Sequence, residues 1–545
     1  MQQILLILLL MTSLWSSQLD DHLQAKIESE PDHIKSLYSL NANRPLWIGH
    51  AKNFHTLSDA LQNSYFNYKH KNFYQDTIGQ YSYLLHNDMN LEQDIEELTQ
   101  LDIALTKSYI ALANFIVHSD VDWKKVSQKL EGLKESKDIK AHWEMVTKSN
   151  PSSSELFNAI VNQNIDSFLH SLTPLSKHHK ELIEALQRYE NMGELPKVPY
   201  GKDIKYGEYN KRIPAIKERL VISGDYQREA HYSEEFDSKL QESIRSYKRR
   251  FNLEENNLID KVTIYYFNKP IDLLVESIIT NLDKLKVFPN TFPKEHIMVN
   301  IPDFTMDYYK NDVSILHINA VIGRGQRPTP IFASSMTYLE LNPNWNIPES
   351  LVRKDLIPTM IEHPDYLEEN NIHVFKGWKD KKEIKDFKVE KLLPYQDKNS
   401  GHIPYRFVQY PGDNNALGRI KFMFPNKYSV YLHDTDNKSL FARRYRVYSS
   451  GCMRIQRPFE LLEILKPRLK SQDVKKIDFY RNNLKNKVLK FTKKLSIQTT
   501  YFTVFKRNEL IFFRKDIYGY DKFIQESIKT EEANSSNIYL SENLN

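Results

Sequence analysis

A multidomain α+β protein, helical in its first half and mainly β in its last, is what this sequence predicts. Three observations carry that expectation. The chain has 545 residues, and single cores stop growing at roughly 250–300, so about three domains are expected. From about Asp21 to Asp225 apolar residues recur at spacings of three and four, the period of helices with one buried face. From His296 the period changes to short strand-like runs separated by turn residues.

Taken in order, the chain opens on an uninterrupted apolar run, Ile4 to Met11. It is shorter than the roughly 20 residues of a spanning helix and reads as the core of an export signal. The signal is expected over residues 1–19, cleaved or kept as a membrane tether. The tether stays open because no Lys or Arg precedes the run and Trp15 suits cleavage poorly. A helical scaffold domain is expected over 20–226. Within it Leu98, Leu101, Leu105, Tyr109, Leu112 and Phe115 line one face of a long helix, and Lys180 to Glu190 form a shorter one. His178 and His179, with Glu181 nearby, are metal-ligating residue types, but adjacent histidines diverge on a helix, so a solvated helix start is expected.

Phe236, Leu240, Ile244, Tyr247 and Phe251 predict another amphipathic helix, which opens a small helical module over 227–290. Its end, Lys248-Arg249-Arg250, suits either a polyanion or water, and water is the expectation. A mainly β domain with insertions follows over 291–525. Its strand-like runs lie at 297–309, 313–323, 428–435, 499–505 and 509–518. A polar tail closes the chain from 526 to 545.

Composition excludes several function classes. Hydrophobic residues are 40% and charged residues 27%, against both wholesale disorder and a polytopic membrane protein. A net charge of +5 over the whole chain gives no nucleic-acid track. With 15 glycines and no complete phosphate-cradling loop, nucleotide enzymes are disfavoured.

Cys452 is the single cysteine, so no internal disulfide can form and the thiol is inert, intermolecular or reactive. Its neighbours, Ser449-Ser450-Gly451 before it and Met453-Arg454 after it, are small residues and a cation rather than core fillers. Tyr431 and His433 alternate on an expected strand and so leave the same face. A neighbouring imidazole takes a thiol's proton and makes the thiolate nucleophile, so Cys452 and His433 form a candidate nucleophile–base pair. The main-chain carbonyl or side chain of Asp434 is the nearest group to hold the imidazole. Two candidate ligands are too few for zinc, and neither metal nor cofactor is expected.

These segments, together with Asn415-Ala-Leu-Gly418-Arg419-Ile-Lys421-Phe422, closely resemble the L,D-transpeptidase (YkuD-type) catalytic domain. Val321-Ile-Gly323, Thr329-Pro330, Asn342-Pro343-Asn344-Trp345-Asn346-Ile347-Pro348 and Asp516-Ile-Tyr518-Gly-Tyr520-Asp521 are similar to the large, scaffold-type Gram-negative members (YcbB-like). Pro45-Leu46-Trp47 and the Leu98–Phe115 helix resemble that group's scaffold domain, and the Phe236–Phe251 helix its peptidoglycan-binding module.

The resemblance implies a periplasmic enzyme that cross-links peptidoglycan stem peptides, with a helical insertion in its catalytic domain at about 350–400. Cys452 would attack the L-centre carbonyl of diaminopimelate in a donor tetrapeptide, D-alanine would leave, and an acceptor amine would resolve the thioester into a 3-3 cross-link. It implies His433 as general base, the Asp434 carbonyl as its orienter, and the Gly451 and Cys452 N–H groups as oxyanion donors, with Tyr431 adding a hydroxyl. Arg454 would hold a substrate carboxylate or form a structural salt bridge, and Trp345 would line the cleft or fill the core. An unperturbed imidazole, near ~6.5, would make acylation weaken as pH falls through that value, unless a thiolate–imidazolium pair is already formed. Two departures stand out. Ser450 occupies a position where the wider family commonly has histidine. Glu254-Glu255-Asn256-Asn257 replaces a glycine-bearing stretch of the binding module, which points to a spacer. Two other readings remain open: hydrolytic trimming on the same fold, such as an L,D-carboxypeptidase, and a non-catalytic wall-binding scaffold.

Overall fold

Residues 13–87, 91–193, 195–377, 382–397 and 399–529 are described by the computed structural model. The apolar run at 4–11 and the tail from 530 lie outside them. Among the described residues no helix is long and apolar enough to cross a membrane.

The chain divides into two units, the first comprising residues up to Ser127, Met145–Phe292 and those from Phe502. Its longest helix, Leu91–His118, has 28 residues and buries Leu98, Leu101, Leu105, Tyr109, Leu112 and Phe115, the face read from the spacing. Asp102 is fully buried on this helix. It accepts the N–H groups of Leu46, Trp47 and Ile48 at 3.1, 2.9 and 2.9 Å and the Tyr38 hydroxyl at 2.7 Å. A buried carboxylate needs such donors, and here they fasten the Pro45-Leu46-Trp47 segment to the helix.

Two expectations are corrected in this unit. His179, on the helix Ser176–Glu190, is buried rather than solvated, with Nε2 2.7 Å from the Tyr65 carbonyl. Burial pushes its imidazole down to about 3. The basic end of the helix Ser238–Arg250 is likewise spent inside the protein. Arg250, 2% exposed, pairs with Asp225 and donates to the Ile511 carbonyl at 2.9 Å and the Tyr189 hydroxyl at 2.9 Å. Lys248 donates to Asn256 and, at 2.7 Å, to the Leu258 carbonyl, so only Arg249 faces water. Two of the three charges of this helix end are thus committed to internal partners. A two-residue pair, β1 (Ile204–Lys205) with β2 (Leu258–Ile259), closes this region.

The second unit holds Gln128–Glu144 and Pro293–Tyr501. Its nine-stranded sheet contains β3 (Glu295–Asn300), β4 (Thr305–Lys310), β5 (Val313–Gly323), β6 (Ala333–Leu341), β10 (Ile420–Met423), β11 (Leu432–His433), β12 (Val447–Ser449), β13 (Met453–Ile455) and β14 (Lys487–Thr500). The order is β12-β5-β13-β11-β10-β6-β14-β3-β4, and β4 also pairs with β5, so the ladder closes on itself with β12 outside the ring. Closure leaves few open edges.

The insertion is less helical than expected. Between β6 and β10 lie β7 (Trp345–Asn346), β8 (Ile372–Lys376) and β9 (Tyr405–Gln409), a separate three-stranded sheet in the order β7-β9-β8. Short helices at Ile357–Glu362 and Tyr366–Glu369 cover it, with a π-helical turn at Val352–Leu356. Val352, Leu356, Ile357, Met360, Val374 and Phe407 belong to a core of its own. The expected strand at 428–435 shrinks to Leu432–His433. Asn426 is the reason: its side chain accepts the N–H groups of Tyr428 and Val430 at 3.0 and 3.2 Å and folds the chain back, with Ser429 at φ +57°. After β14 the chain forms a hairpin, β15 (Val504–Arg507) with β16 (Leu510–Phe513).

Candidate active site

Strand register brings the three most telling side chains together. β11 pairs in parallel with β13, placing Leu432 opposite Met453 and His433 opposite Arg454. Cys452 immediately precedes β13, so it falls level with Tyr431, and the Met453 N–H donates to the Tyr431 carbonyl at 3.1 Å. The Tyr431 hydroxyl meets the Cys452 thiol, while the Trp345 side chain also hydrogen-bonds Tyr431. The Tyr431 and His433 rings lie 5.5 Å apart. Sγ is 3.9 Å from the Ser429 carbonyl, and no hydrogen bond joins it to the His433 imidazole. Resting geometry of this kind is common before substrate binds.

The turn that presents the thiol is tied at both the N–H and the carbonyl of Gly451. Gly451 adopts φ +114°, where a side chain would be strained. Its carbonyl accepts from Thr329 Oγ1 at 2.9 Å, and its N–H donates to Ser449 Oγ at 3.1 Å. That N–H is therefore engaged within the turn. Asp434 is buried, and its carboxylate is taken by the Arg419 N–H at 2.9 Å and by Lys438. Gly418, at φ +60°, makes room for it: a Cβ there would lie 2.4 Å from the carboxylate.

Burial and nearby cations set the protonation states. Burial pushes the Cys452 thiol up to about 11, against the Tyr431 hydrogen bonds and the charges of Arg454 and Lys421, which pull it down. Burial, then the Arg454 charge, drive the His433 imidazole down to about 3, with the Asp434 main chain opposing and Lys421 and Lys438 adding to the fall. The resting pair is a neutral thiol beside a neutral imidazole, so the expected titration near 6.5 does not hold for this imidazole. Tyr431 is held well above its ordinary value by burial and by the facing thiol. His433 Nδ1 is buried with no hydrogen-bond partner. Arg454 donates to Thr435 Oγ1 at 3.2 Å, leaves Nε unpartnered, and makes no ion pair among the described residues. A half-buried thiol, a hydroxyl on it, an imidazole behind it and an unpaired guanidinium can together support acyl transfer to sulfur.

Comparison with known proteins matches two stretches of the chain to domain families. Residues 294–475 match the YkuD family, the L,D-transpeptidase catalytic domain, and residues 32–186 match a scaffold domain. This chain carries an L,D-transpeptidase catalytic domain of the YkuD family. It is 32% identical over 259 residues to a Haemophilus influenzae protein named "Putative L,D-transpeptidase", across 46% of this chain and 49% of that protein, so the match spans about half of the relative's length. Among solved structures it is similar to an L,D-transpeptidase from Xylanimonas cellulosilytica, at 9% identity and a TM-score of 0.19, over 55% of this chain and 99% of that one. It is also similar to an L,D-transpeptidase from Stackebrandtia nassauensis, at 11% identity and a TM-score of 0.19, over 58% of this chain and 100% of that one. A TM-score so low does not equate the architectures.

Within the L,D-transpeptidase domain, Cys452, Tyr431, His433, Gly451, Trp345 and Arg454 converge, with Asp434 behind them. Ser450 stands apart. It is exposed and accepts from Arg327 Nη1 at 2.8 Å and Arg324 Nη2 at 3.5 Å. Sequence reading passed over Arg324 and Arg327 because they sit in a turn with no period. It also missed Glu144, which reaches this domain from 187 positions before Ile331 and accepts from the Tyr428 hydroxyl at 2.9 Å. The Glu144 N–H donates to the Ile331 carbonyl at 2.8 Å. No local pattern could have announced that pairing.

Proposed function

We propose that this protein is a peptidoglycan L,D-transpeptidase that forms 3-3 cross-links between diaminopimelate residues of stem peptides, through a thioester on Cys452. The observation that carries the proposal is the parallel β11–β13 register, which sets the single thiol level with the Tyr431 hydroxyl and beside the His433 strand. In this reaction Sγ attacks the L-centre carbonyl of diaminopimelate in a donor tetrapeptide, the thiol proton passes to His433 and from it to the departing nitrogen, and the C–N bond breaks so that D-alanine leaves as the amine and the acyl group stays on sulfur. The side-chain amine of an acceptor diaminopimelate then displaces the sulfur and closes the cross-link. The Cys452 N–H and the Tyr431 hydroxyl stabilise the oxyanion, the Asp434 main chain steadies the imidazole, and Arg454 receives a substrate carboxylate. Trp345 fixes the Tyr431 hydroxyl.

The enzyme works in the periplasm, delivered by its N-terminal apolar segment. The region 227–290 serves as a spacer, because its basic helix end is committed to internal partners. Incubation with purified disaccharide-tetrapeptide, followed by mass analysis, tests the proposal. A cross-linked dimer supports it. Tripeptide without dimer would assign the fold to hydrolytic trimming, and unchanged substrate would assign it to a non-catalytic scaffold.

A further inference from the structure

Beside the nucleophile turn, two guanidinium groups converge on one carboxylate. Arg327 donates to Asp355 from Nη1 at 2.6 Å and from Nη2 at 3.2 Å, and Arg324 Nη2 donates to the same carboxylate at 3.3 Å. Arg327 Nη1 also donates to Ser450 Oγ at 2.8 Å. The turn carrying both arginines is fastened to the nucleophile segment by its backbone, Arg324 N–H to the Ser449 carbonyl at 3.0 Å. Two cations against one anion leave one positive charge uncompensated. Asp355, from the π-helical turn Val352–Leu356 of the insertion, is 43% exposed in its side chain, and Arg324 is 40% exposed.

These features separate a binding site from a structural tie. The long Arg324–Asp355 bridge, between two exposed side chains, is weak, whereas Arg327, 18% exposed, holds the firmer bidentate pair, whose exposed carboxylate another carboxylate can replace. Guanidinium forks are matched to carboxylate geometry, and single π-turns recur at functional positions. Ser450 is two residues from Cys452, so its Cα lies at most about 7 Å from that of the nucleophile. A peptide carboxylate held there sits within a residue or two of the bond under attack.

We propose that Arg324 and Arg327 form a carboxylate-binding subsite for the donor peptide, completed by the Ser450 hydroxyl, with Asp355 as an internal carboxylate that occupies it until substrate arrives. The proposal rests on the peptide-substrate reading above for its ligand, but the site itself is read from geometry alone. Its occupant is a carboxylate of the residue attacked by Cys452 or of the residue that leaves. Binding transfers the arginines from Asp355 to the substrate and so releases the insertion's hold on the nucleophile turn.

Cys452 is the only cysteine, so its alkylation by iodoacetate, an anion, and by iodoacetamide, its neutral analogue, reports the subsite without any natural substrate. The iodoacetate-to-iodoacetamide rate ratio should fall about threefold or more in Arg324→Gln/Arg327→Gln, the size expected for loss of nearby screened charges. It should rise in Asp355→Asn, which frees the guanidinium groups, and should largely persist in Arg327→Lys, which keeps the charge. The neutral reagent controls for altered folding or thiol exposure. A ratio unchanged in both the double variant and Asp355→Asn, or one in which the two reagents shift together, would overturn the subsite and leave a structural tie. With disaccharide-tetrapeptide as donor, the double variant should raise KM more than it lowers kcat. If the unaltered protein converts no peptide while the ratios behave as stated, the functional reading fails and the anion site stands.

Discussion

Thr329 and Gly451 are joined by a hydrogen bond of 2.9 Å, and the same Thr329 oxygen accepts the Gly323 N–H at 2.9 Å. One hydroxyl thus ties the end of β5 to the turn that presents Cys452. Thr329→Val keeps the shape and removes both bonds. The expected cost is about 1–3 kcal/mol of stability, measurable by urea denaturation. Acylation by donor peptide should slow more than alkylation by iodoacetamide, because the turn loses its aim while the thiol remains. Equal slowing of both would show that Thr329 acts on exposure of the thiol rather than on its placement.

The Tyr431 hydroxyl lowers the thiol's proton affinity through its hydrogen bond. Tyr431→Phe should therefore move the alkylation profile of Cys452 to higher pH. If the hydroxyl also receives the oxyanion, donor acylation should fall by about 100-fold, the usual cost of one such donor. An unchanged profile with unchanged acylation would make Tyr431 a packing residue only.

Much of this site was legible in the sequence, for local reasons. Cys452 stands among residues too small and polar for a core, and His433 and Tyr431 are spaced to leave one face of a strand. The Leu98–Phe115 helix was legible because its apolar face repeats. What escaped reading depends on long-range partners. His179 was expected in water and is buried because the Tyr65 carbonyl, 114 positions away in sequence, receives its ring nitrogen. Lys248 and Arg250 look like a solvated cluster until Leu258, Asp225 and Tyr189 are placed around them. The insertion, expected to be helical from the resemblance, carries strands that are short and far apart in sequence, and only pairing of β8 with β9 makes them a sheet.

Cys452→Ala should abolish cross-linking while leaving the fold intact, since it removes the nucleophile and little volume. A carbapenem, whose strained amide accepts a thiolate, should add one equivalent of mass to the unaltered protein and none to this variant. Peptide mapping should place the adduct on the fragment that joins Cys452 to Met453. Turnover surviving in Cys452→Ala would remove the sulfur from the mechanism altogether.

The thiol, raised to about 11, is protonated at neutral pH. Its alkylation by iodoacetamide should then climb about tenfold per pH unit through the neutral and mildly alkaline range, without levelling near the free-cysteine value of ~8.5. A plateau beginning below pH 7 would reveal a thiolate–imidazolium pair already formed at rest, and with it a different starting state for catalysis.

His433 carries the opposite shift, and its consequence is read in stability. Its imidazole is held at about 3 in the folded protein, while in the unfolded chain it titrates near ~6.5. Below that value the unfolded state takes up the proton and the folded state does not, so unfolding is increasingly favoured. The contribution is fully present above about pH 6.5 and is lost progressively as pH falls towards 3. At pH 5 the loss amounts to about 2 kcal/mol. His433→Gln has no proton to take up, so its stability should decline less between pH 7 and 5 than that of the unaltered protein. Other buried histidines, His179 among them, contribute equally to both proteins and cancel in the difference. Urea denaturation of the two proteins at pH 7, 6 and 5 supplies the measurement. Parallel declines would mean that His433 titrates in the folded protein near its ordinary value. The base would then already be protonated at mildly acidic pH, and donor acylation should fall together with it.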